Sequence, residues 1–215
     1  ILPHYADWGK AGIAPRSIWK RAGDQGFLCT NVPEEYGGMG GDFLHSALMI
    51  EEMARAGCTT PTFYLHSEII SPYLVHHGSD EQKRTWLPKM ASGEVITALG
   101  MSEPGGGSDV QNIRTSATRD GDDYVINGQK TFITSGFNAD LVVLACKTDP
   151  NQGARGVSLI LVETDRPGFA RGRMLEKIGC KGQDTAELFF EDLRVPVTNL
   201  LGKEGGGFSI LMQEL

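Results

Sequence analysis

The sequence predicts an α+β chain, helical first and sheet-forming afterwards, from three observations. From Asp42 to Ala56 the apolar residues Phe43, Leu44, Ala47, Leu48, Ile50, Met53 and Ala54 recur every three or four positions, the spacing of one helical face, with Asp42 placed to cap it. Ser79 and Gln82 have capping-box spacing at the head of SDEQKRTWLPKM. After Gly93, VITALGM, YVIN, KTFIT, LVVLAC, VSLILV and AELFF are short β-branched or aromatic runs parted by Gly, Asp, Asn and Pro, the texture of antiparallel strands.

Taken in order, residues 1–94 read as short packed helices punctuated by Pro61, Pro72 and Pro88, residues 95–206 as sheet, and residues 207–215 as the start of another helix after Gly205-Gly206-Gly207. Asn127-Gly128, between Tyr124-Val125-Ile126 and Thr131-Phe132-Ile133, predicts a type I′ hairpin, and Asp120-Gly121 a weaker second one. No repeat of 20 to 50 residues is present.

Composition narrows the function. The 215 residues carry 20 Lys+Arg against 27 Asp+Glu, a net charge of −7, which argues against binding nucleic acid by bulk attraction. Cys29, Cys58, Cys146 and Cys180 form no C-x-x-C pair and read as free, mostly buried thiols. No apolar run approaches a membrane span, and ILPHYADWGK lacks a signal-peptide layout, so a soluble, intracellular protein is expected. The start at Ile1 and the uncapped amphipathic stretch Met212–Leu215 read as cut ends.

Glycine is over-represented, 28 residues, and clustered. The most informative cluster is Gly100-Met101-Ser102-Glu103-Pro104-Gly105-Gly106-Gly107-Ser108-Asp109, directly after a predicted strand. Consecutive glycines let a backbone approach a phosphate or planar ring, and Ser102 and Ser108 can donate to ligand oxygens; a plain flexible loop is the competing reading. No Gly-Lys-Ser/Thr follows and no G-x-G-x-x-G opens a helix, which disfavours a phosphate-binding loop or a doubly wound nucleotide fold. His66 and the pair His76-His77 lack a third metal ligand at a fixed offset, and adjacent helical histidines diverge, so no metal is expected. No G-x-S-x-G elbow occurs.

GMSEPGGGSDV followed by INGQKTFITSG resembles the paired signature of the acyl-CoA dehydrogenase family. PEEYGG at 33–38, LPKMASGE at 87–94 and GCKGQDTAELFFEDLRVP at 179–196 resemble family segments in the same order, the last most similar to the long-chain-type branch. Asn112 departs from the Gly, Ser or Ala usual at the end of the first signature. The resemblance implies an N-terminal all-α domain and an antiparallel, β-barrel-like middle domain, with the C-terminal helical bundle missing. It implies FAD as cofactor, with Leu99, Met101, Ser102, Gly107, Ser108, Phe132, Ile133 and Thr134 at flavin-contacting positions. Ser102 stands where Thr is more usual, and Phe132 where Trp is frequent, keeping a stacking face without the indole N–H.

The chemistry so implied is α,β-dehydrogenation of a fatty acyl-CoA to the trans-2-enoyl-CoA, in which a carboxylate removes the α proton and the β hydrogen leaves as hydride to the flavin. In the long-chain-type branch that glutamate is expected beyond Leu215, so no catalytic residue is assigned here, Glu214 included. Ser108, Ala154, Arg155 and Ser209 match substrate-contacting positions; Arg155 reads equally as an ordinary exposed cation. Implied partners are an electron-transfer flavoprotein and three further copies in a homotetramer, with no nucleic acid and no membrane. The implied compartment is the cytoplasm of a bacterium or the mitochondrial matrix of a eukaryote. Two rivals remain: an oxygen-using flavoenzyme of the same fold, such as an acyl-CoA oxidase or a nitroalkane-oxidase-like enzyme, and a non-catalytic β-rich interaction module.

Overall fold

The computed structural model describes all 215 residues. Five helices come first: α1 (Tyr5–Ala11), α2 (Arg16–Asp24), α3 (Phe43–Arg55), α4 (Ser71–His77), which continues a π-helical turn at Leu65–Ile70, and α5 (Asp80–Ala91). Eight strands follow: β1 (Thr97–Gly100), β2 (Ser116–Asp120), β3 (Asp123–Thr134), β4 (Leu141–Lys147), β5 (Val157–Glu163), β6 (Phe169–Met174), β7 (Thr185–Pro196) and β8 (Leu200–Leu201). A last helix, α6, spans Gly207–Glu214. No helix is long and apolar enough to cross a membrane.

Both helix starts expected from side-chain caps are present. Asp42 Oδ1 accepts from Leu44 N at 3.0 Å while His45 Nδ1 accepts from Asp42 N. Ser79 and Gln82 bond reciprocally to each other's backbone N–H at 3.0 and 3.2 Å, satisfying donors the helix cannot satisfy itself. Pro72 sits in the first turn of α4, but Pro88 lies inside α5 rather than ending it. The apolar residues of α3 do not all face the core: Phe43 and Leu44 are each 73% exposed.

The sheet runs β6-β7-β3-β2-β4-β5-β8, with β1 beside β4. Most pairs are antiparallel, but β1 runs parallel to β4, and β2 meets β4 in parallel at Ser116–Lys147. β6 and β8 end the path, and β1 pairs with β4 alone. Strand alternation then sorts two cores. Leu141, Val143, Ala145, Val157, Leu159 and Leu161 join Trp19, Phe63, Tyr73, Leu87 and Met90 of the helical part. Val142, Leu144, Cys146, Ile160 and Val162 join Tyr124, Ile126, Leu188 and Leu193 of the overlying strands. β4 is therefore buried on both faces and β5 nearly so, which is why LVVLAC and VSLILV are continuous apolar runs.

The Asn127-Gly128 hairpin is not formed. β3 continues straight through it, and the pairing with β7 shifts there between Ile126 and Gly128. A Cβ on Gly128, at φ 148°, would lie 2.6 Å from Thr115 Cα, so the glycine marks a bulge and a close backbone approach instead of a turn. The weaker hairpin is the real one: Asp120 pairs with Asp123 across Gly121-Asp122, with Gly121 at φ 64°. Of the cysteines, three are buried and Cys180 is exposed.

Helices and sheet are stitched by buried polar groups. His66 makes a 3.1 Å bond through Nε2 with the Met90 carbonyl, which requires a proton there, and its Nδ1 then accepts from Thr97 Oγ1 at 2.8 Å. Trp19 stands edge-on to the ring. Gln82 donates to the carbonyls of Thr198 and Leu200, tying α5 to the far end of the sheet. Burial lowers the His66 pKa to about 4, from an ordinary value of 6.5. A histidine held neutral in the fold takes up its proton only on unfolding, so stability falls as pH drops from about 6.5 towards 4. The full effect is about 3 kcal/mol. Urea titrations at pH 7 and pH 4.5 will show this loss, and His66→Gln will flatten the dependence.

Candidate functional site

β1 ends at Gly100, and the chain enters the glycine loop. There Glu103 and Gly106 exchange two backbone hydrogen bonds of 3.0 Å, closing a tight turn over Pro104-Gly105. The Glu103 carboxylate turns inward and accepts from the backbone N–H of Arg114 at 2.7 Å, from that of Thr115 at 2.9 Å, and from Lys130 Nζ at 2.9 Å. Lys130 has no exposed side-chain surface and donates also to the Met101 carbonyl at 3.0 Å. One residue on, Thr131 N donates to the Ser102 carbonyl at 2.9 Å. Loop and strand are thus clamped together at consecutive positions.

Burial works against both charges. For Glu103 it is outweighed by Lys130 and the two backbone N–H groups, and the carboxyl lies below its ordinary range. For Lys130, burial lowers the pKa and Glu103 opposes it. The pair is held as ions, because each partner has further hydrogen bonds to its charged form.

Just past the clamp the β3–β7 register shifts again, between Lys130 and Ile133. Phe132 occupies this second bulge at φ 59°, a left-handed conformation that bulky residues rarely adopt, and its side chain is 69% exposed. Ile133 turns the other way into the core and is 2% exposed, so only its backbone is at hand. Thr134 is half-buried, and Ser135 is again left-handed at φ 60°. The Asp184 carboxylate holds the turn that follows by accepting from Phe137 N at 2.8 Å and Asn138 N at 3.2 Å. Burial raises the Asp184 pKa against those contacts.

Leu99, Met101 and Ser102 are half-buried beside the clamp, whereas Gly107 and Ser108 are exposed. The hydroxyls of Ser102, Ser108 and Thr134 have no hydrogen-bond partner in the protein. Around Gly105, Gly106 and Gly107 an added Cβ would meet nothing within 4 Å, and none of the three has positive φ. Neither backbone conformation nor crowding within the chain requires glycine there. Beneath the turn lies a polar recess of about 390 Å³ lined by Glu103, Asp109, Arg114 and Gln129. The largest groove, about 780 Å³, is apolar, lies among Met39, Leu48, Met53 and Phe63, and shares no residue with this loop.

The expected substrate positions form a second group. The 3₁₀ turn Val110–Asn112 leaves the glycine loop and packs on the 3₁₀ turn Gly153–Gly156, which carries Ala154 and Arg155; α6, with Ser209 exposed, packs on the same turn. The Arg155 carbonyl lies against Gly205, where a Cβ would approach to 2.4 Å. The Arg155 guanidinium is exposed and forms no ion pair.

Sequence reasoning missed the Lys130–Glu103 clamp. Its signal was a lysine just ahead of the β-forming Thr131-Phe132-Ile133 run, obscured by the hairpin expected at Asn127-Gly128. Breaking a buried pair costs about 3 kcal/mol or more. Lys130→Met is therefore expected to lower the urea unfolding free energy by that order. Lys130→Met with Glu103→Gln will recover part of it, because no buried charge then lacks a partner.

Two family models match the chain: acyl-CoA dehydrogenase, N-terminal domain, over residues 1–94, and acyl-CoA dehydrogenase, middle domain, over residues 98–193. Long-chain specific acyl-CoA dehydrogenase of Sus scrofa mitochondria is 49% identical over 100% of this chain and 50% of its own length. The chain thus spans about half the length of the curated relatives it matches. An acyl-CoA dehydrogenase structure from Geobacillus kaustophilus superposes with a TM-score of 0.96 at 55% identity, covering 99% of this chain and 56% of the other. The prolyl acyl carrier protein oxidase AnaB superposes at 0.90 with 31% identity, covering 95% and 55%. With its helical part and its mixed sheet both matched, the chain belongs to the acyl-CoA dehydrogenase family.

Proposed function

We propose that residues 1–215 supply the flavin-facing wall, and part of the thioester-facing wall, of an FAD-dependent enzyme that converts a fatty acyl-CoA to its trans-2-enoyl-CoA. In this reading residues 1–94 are the helical domain, 95–206 the β-domain and 207–215 the start of a further helical domain. One observation carries it: an exposed aromatic ring held in a strained backbone conformation, clamped beside a loop of bare glycines and unpartnered hydroxyls. Strain of this kind costs about 1–3 kcal/mol and persists where the surrounding structure over-determines it, as at ligand sites.

The residues fit the group. Phe132 offers a π-face outside the core, and Ser102, Ser108 and Thr134 offer donors with no competing partner. Gly105 and Gly107 leave their backbone N–H groups unpaired, whereas that of Gly106 is bonded to the Glu103 carbonyl, and no Cβ at the three positions screens the loop. FAD, when bound, supplies the hydride acceptor. The chain's part is to bind and orient. The unpaired Arg155 suits a phosphate of the CoA moiety, with Ala154, Ser108 and Ser209 along the thioester. No catalytic base is assigned within the chain; Glu214 is engaged by two histidines of α4. The identity to the long-chain enzyme of Sus scrofa supports a long acyl chain as substrate. Transfer of electrons to an electron-transfer flavoprotein and assembly as a homotetramer belong to the same reading. So does a compartment that is the mitochondrial matrix in a eukaryote and the cytoplasm in a bacterium.

The similarity to AnaB favours one second reading, in which oxygen takes the electrons. Peroxide release during turnover separates the two.

The aromatic position gives the decisive test. Phe132→Gly removes the ring and relieves the positive φ, so the melting temperature should hold or rise, while affinity for FAD, read by flavin fluorescence, falls at least roughly tenfold, as expected from losing about 1.4 kcal/mol. Phe132→Trp should retain binding. Equal, saturable affinities for wild type and Phe132→Gly would overturn the reading.

A further inference from the structure

We propose that His76, His77 and Glu214 form a site for one divalent transition-metal ion of the zinc class, which fastens α6 to α4. The site is independent of the flavin reading.

The two histidines close the last turn of α4, and Glu214 is the last residue of α6. Neighbouring residues on an ideal helix point about 100° apart, and such a pair does not ordinarily share a ligand. Here the divergence is offset by opposite ends of the two rings. His76 presents its near nitrogen, Nδ1, at 3.0 Å from Glu214 Oε1, and His77 its far nitrogen, Nε2, at 2.7 Å from the same oxygen. The rings stand nearly perpendicular, at 83°. All three donor atoms lie within 4.8 Å of one another. The Glu214 side chain is only 9% exposed and that of His77 19%, whereas His76 is open to solvent.

Two imidazoles and a carboxylate leave a fourth position for water on the His76 side, the ligand count of an open zinc site. Zinc bond lengths of about 2.0–2.2 Å in a tetrahedron separate ligand atoms by about 3.4 Å. The two contacts to Oε1 must therefore open by about half an ångström, and the two ring nitrogens, within 4.8 Å of each other, must draw in towards that spacing, by rotation of the exposed His76 ring and of the carboxylate. Without the ion, the facing nitrogens donate N–H to Oε1. With it, each ring carries its proton on the other nitrogen, reached through solvent, and stays neutral. The glutamate and a dication then sum to a charge of +1, and two nitrogens with one oxygen favour zinc, nickel or cobalt over magnesium.

The test uses the 215-residue chain carrying Cys180→Ser, which removes the exposed thiol as a competing ligand. Calorimetric titration with ZnCl2 should show one equivalent bound and MgCl2 none, and zinc should raise the melting temperature. His76→Ala and Glu214→Gln should each weaken zinc binding at least roughly tenfold, in line with ligand losses at metal sites. His45→Ala, which removes another exposed histidine, should leave it unchanged. Cobalt(II) on the otherwise unaltered chain gives a readout that does not depend on those variants folding: an intense four-coordinate visible spectrum without a thiolate charge-transfer band is expected. Absence of saturable zinc binding, binding indifferent to His76→Ala in a folded variant, or a weak six-coordinate cobalt spectrum would overturn the proposal.

Discussion

The arrangement of the glycine-loop and Phe132 surface depends on one ammonium group buried inside the sheet. Lys130 cannot leave its charge unpaired at that depth, so its nitrogen gathers the Met101 carbonyl and the Glu103 carboxylate around it. Glu103 in turn holds the backbone of Arg114 and Thr115. A single requirement for charge compensation therefore sets the entry to the glycine loop, its turn and the segment by which it leaves. The exposed ring at Phe132 follows from the same place, since the register slips immediately after Lys130 and the next side chains are thrown to opposite sides.

Double burial of β4 positions this surface relative to the helices. Odd-numbered residues of β4 reach the helical core and even-numbered ones the inner sheet core, so neither half of the molecule completes its interior without this strand. The polar seams run across the same junction. Asp140, just ahead of β4, accepts from Ile96 N and pairs with Arg16 of α2. The site lies at the end of β1, where helices hand over to sheet, on a rigid support of both kinds.

Much of this was legible in the sequence for identifiable reasons. Caps at Asp42 and Ser79 are local: the residues that satisfy the helix start lie within three positions of it. Resemblance alone pairs the loop with the Phe132 segment, and the two lie in contact through Thr131 and Ser102. What could not be read is what depends on distant partners. Asn127-Gly128 has the composition of a hairpin, but Thr115 lying against Gly128 and β7 running alongside keep the strand extended. The parallel course of β1 beside β4, 44 residues apart in register, has no local signature. His76 and His77 converge on Glu214 through opposite ends of their imidazoles and the approach of α6, neither of which the divergence of adjacent helical residues reveals.

The segment between β6 and β7 carries the one exposed thiol. Gln183 in that segment accepts from Thr62 N of the helical part and donates to Ser135 Oγ of the sheet, so the segment bridges the two halves. Cys180 lies three residues upstream and faces outward, while the other three cysteines are buried, Cys58 at the wall of an apolar groove; burial raises Cys29 and Cys146 to about 12. A maleimide dye will accordingly react first at Cys180 in the native molecule. Its emission would report whether this bridge stays seated, making the molecule its own gauge of how the two halves move against each other.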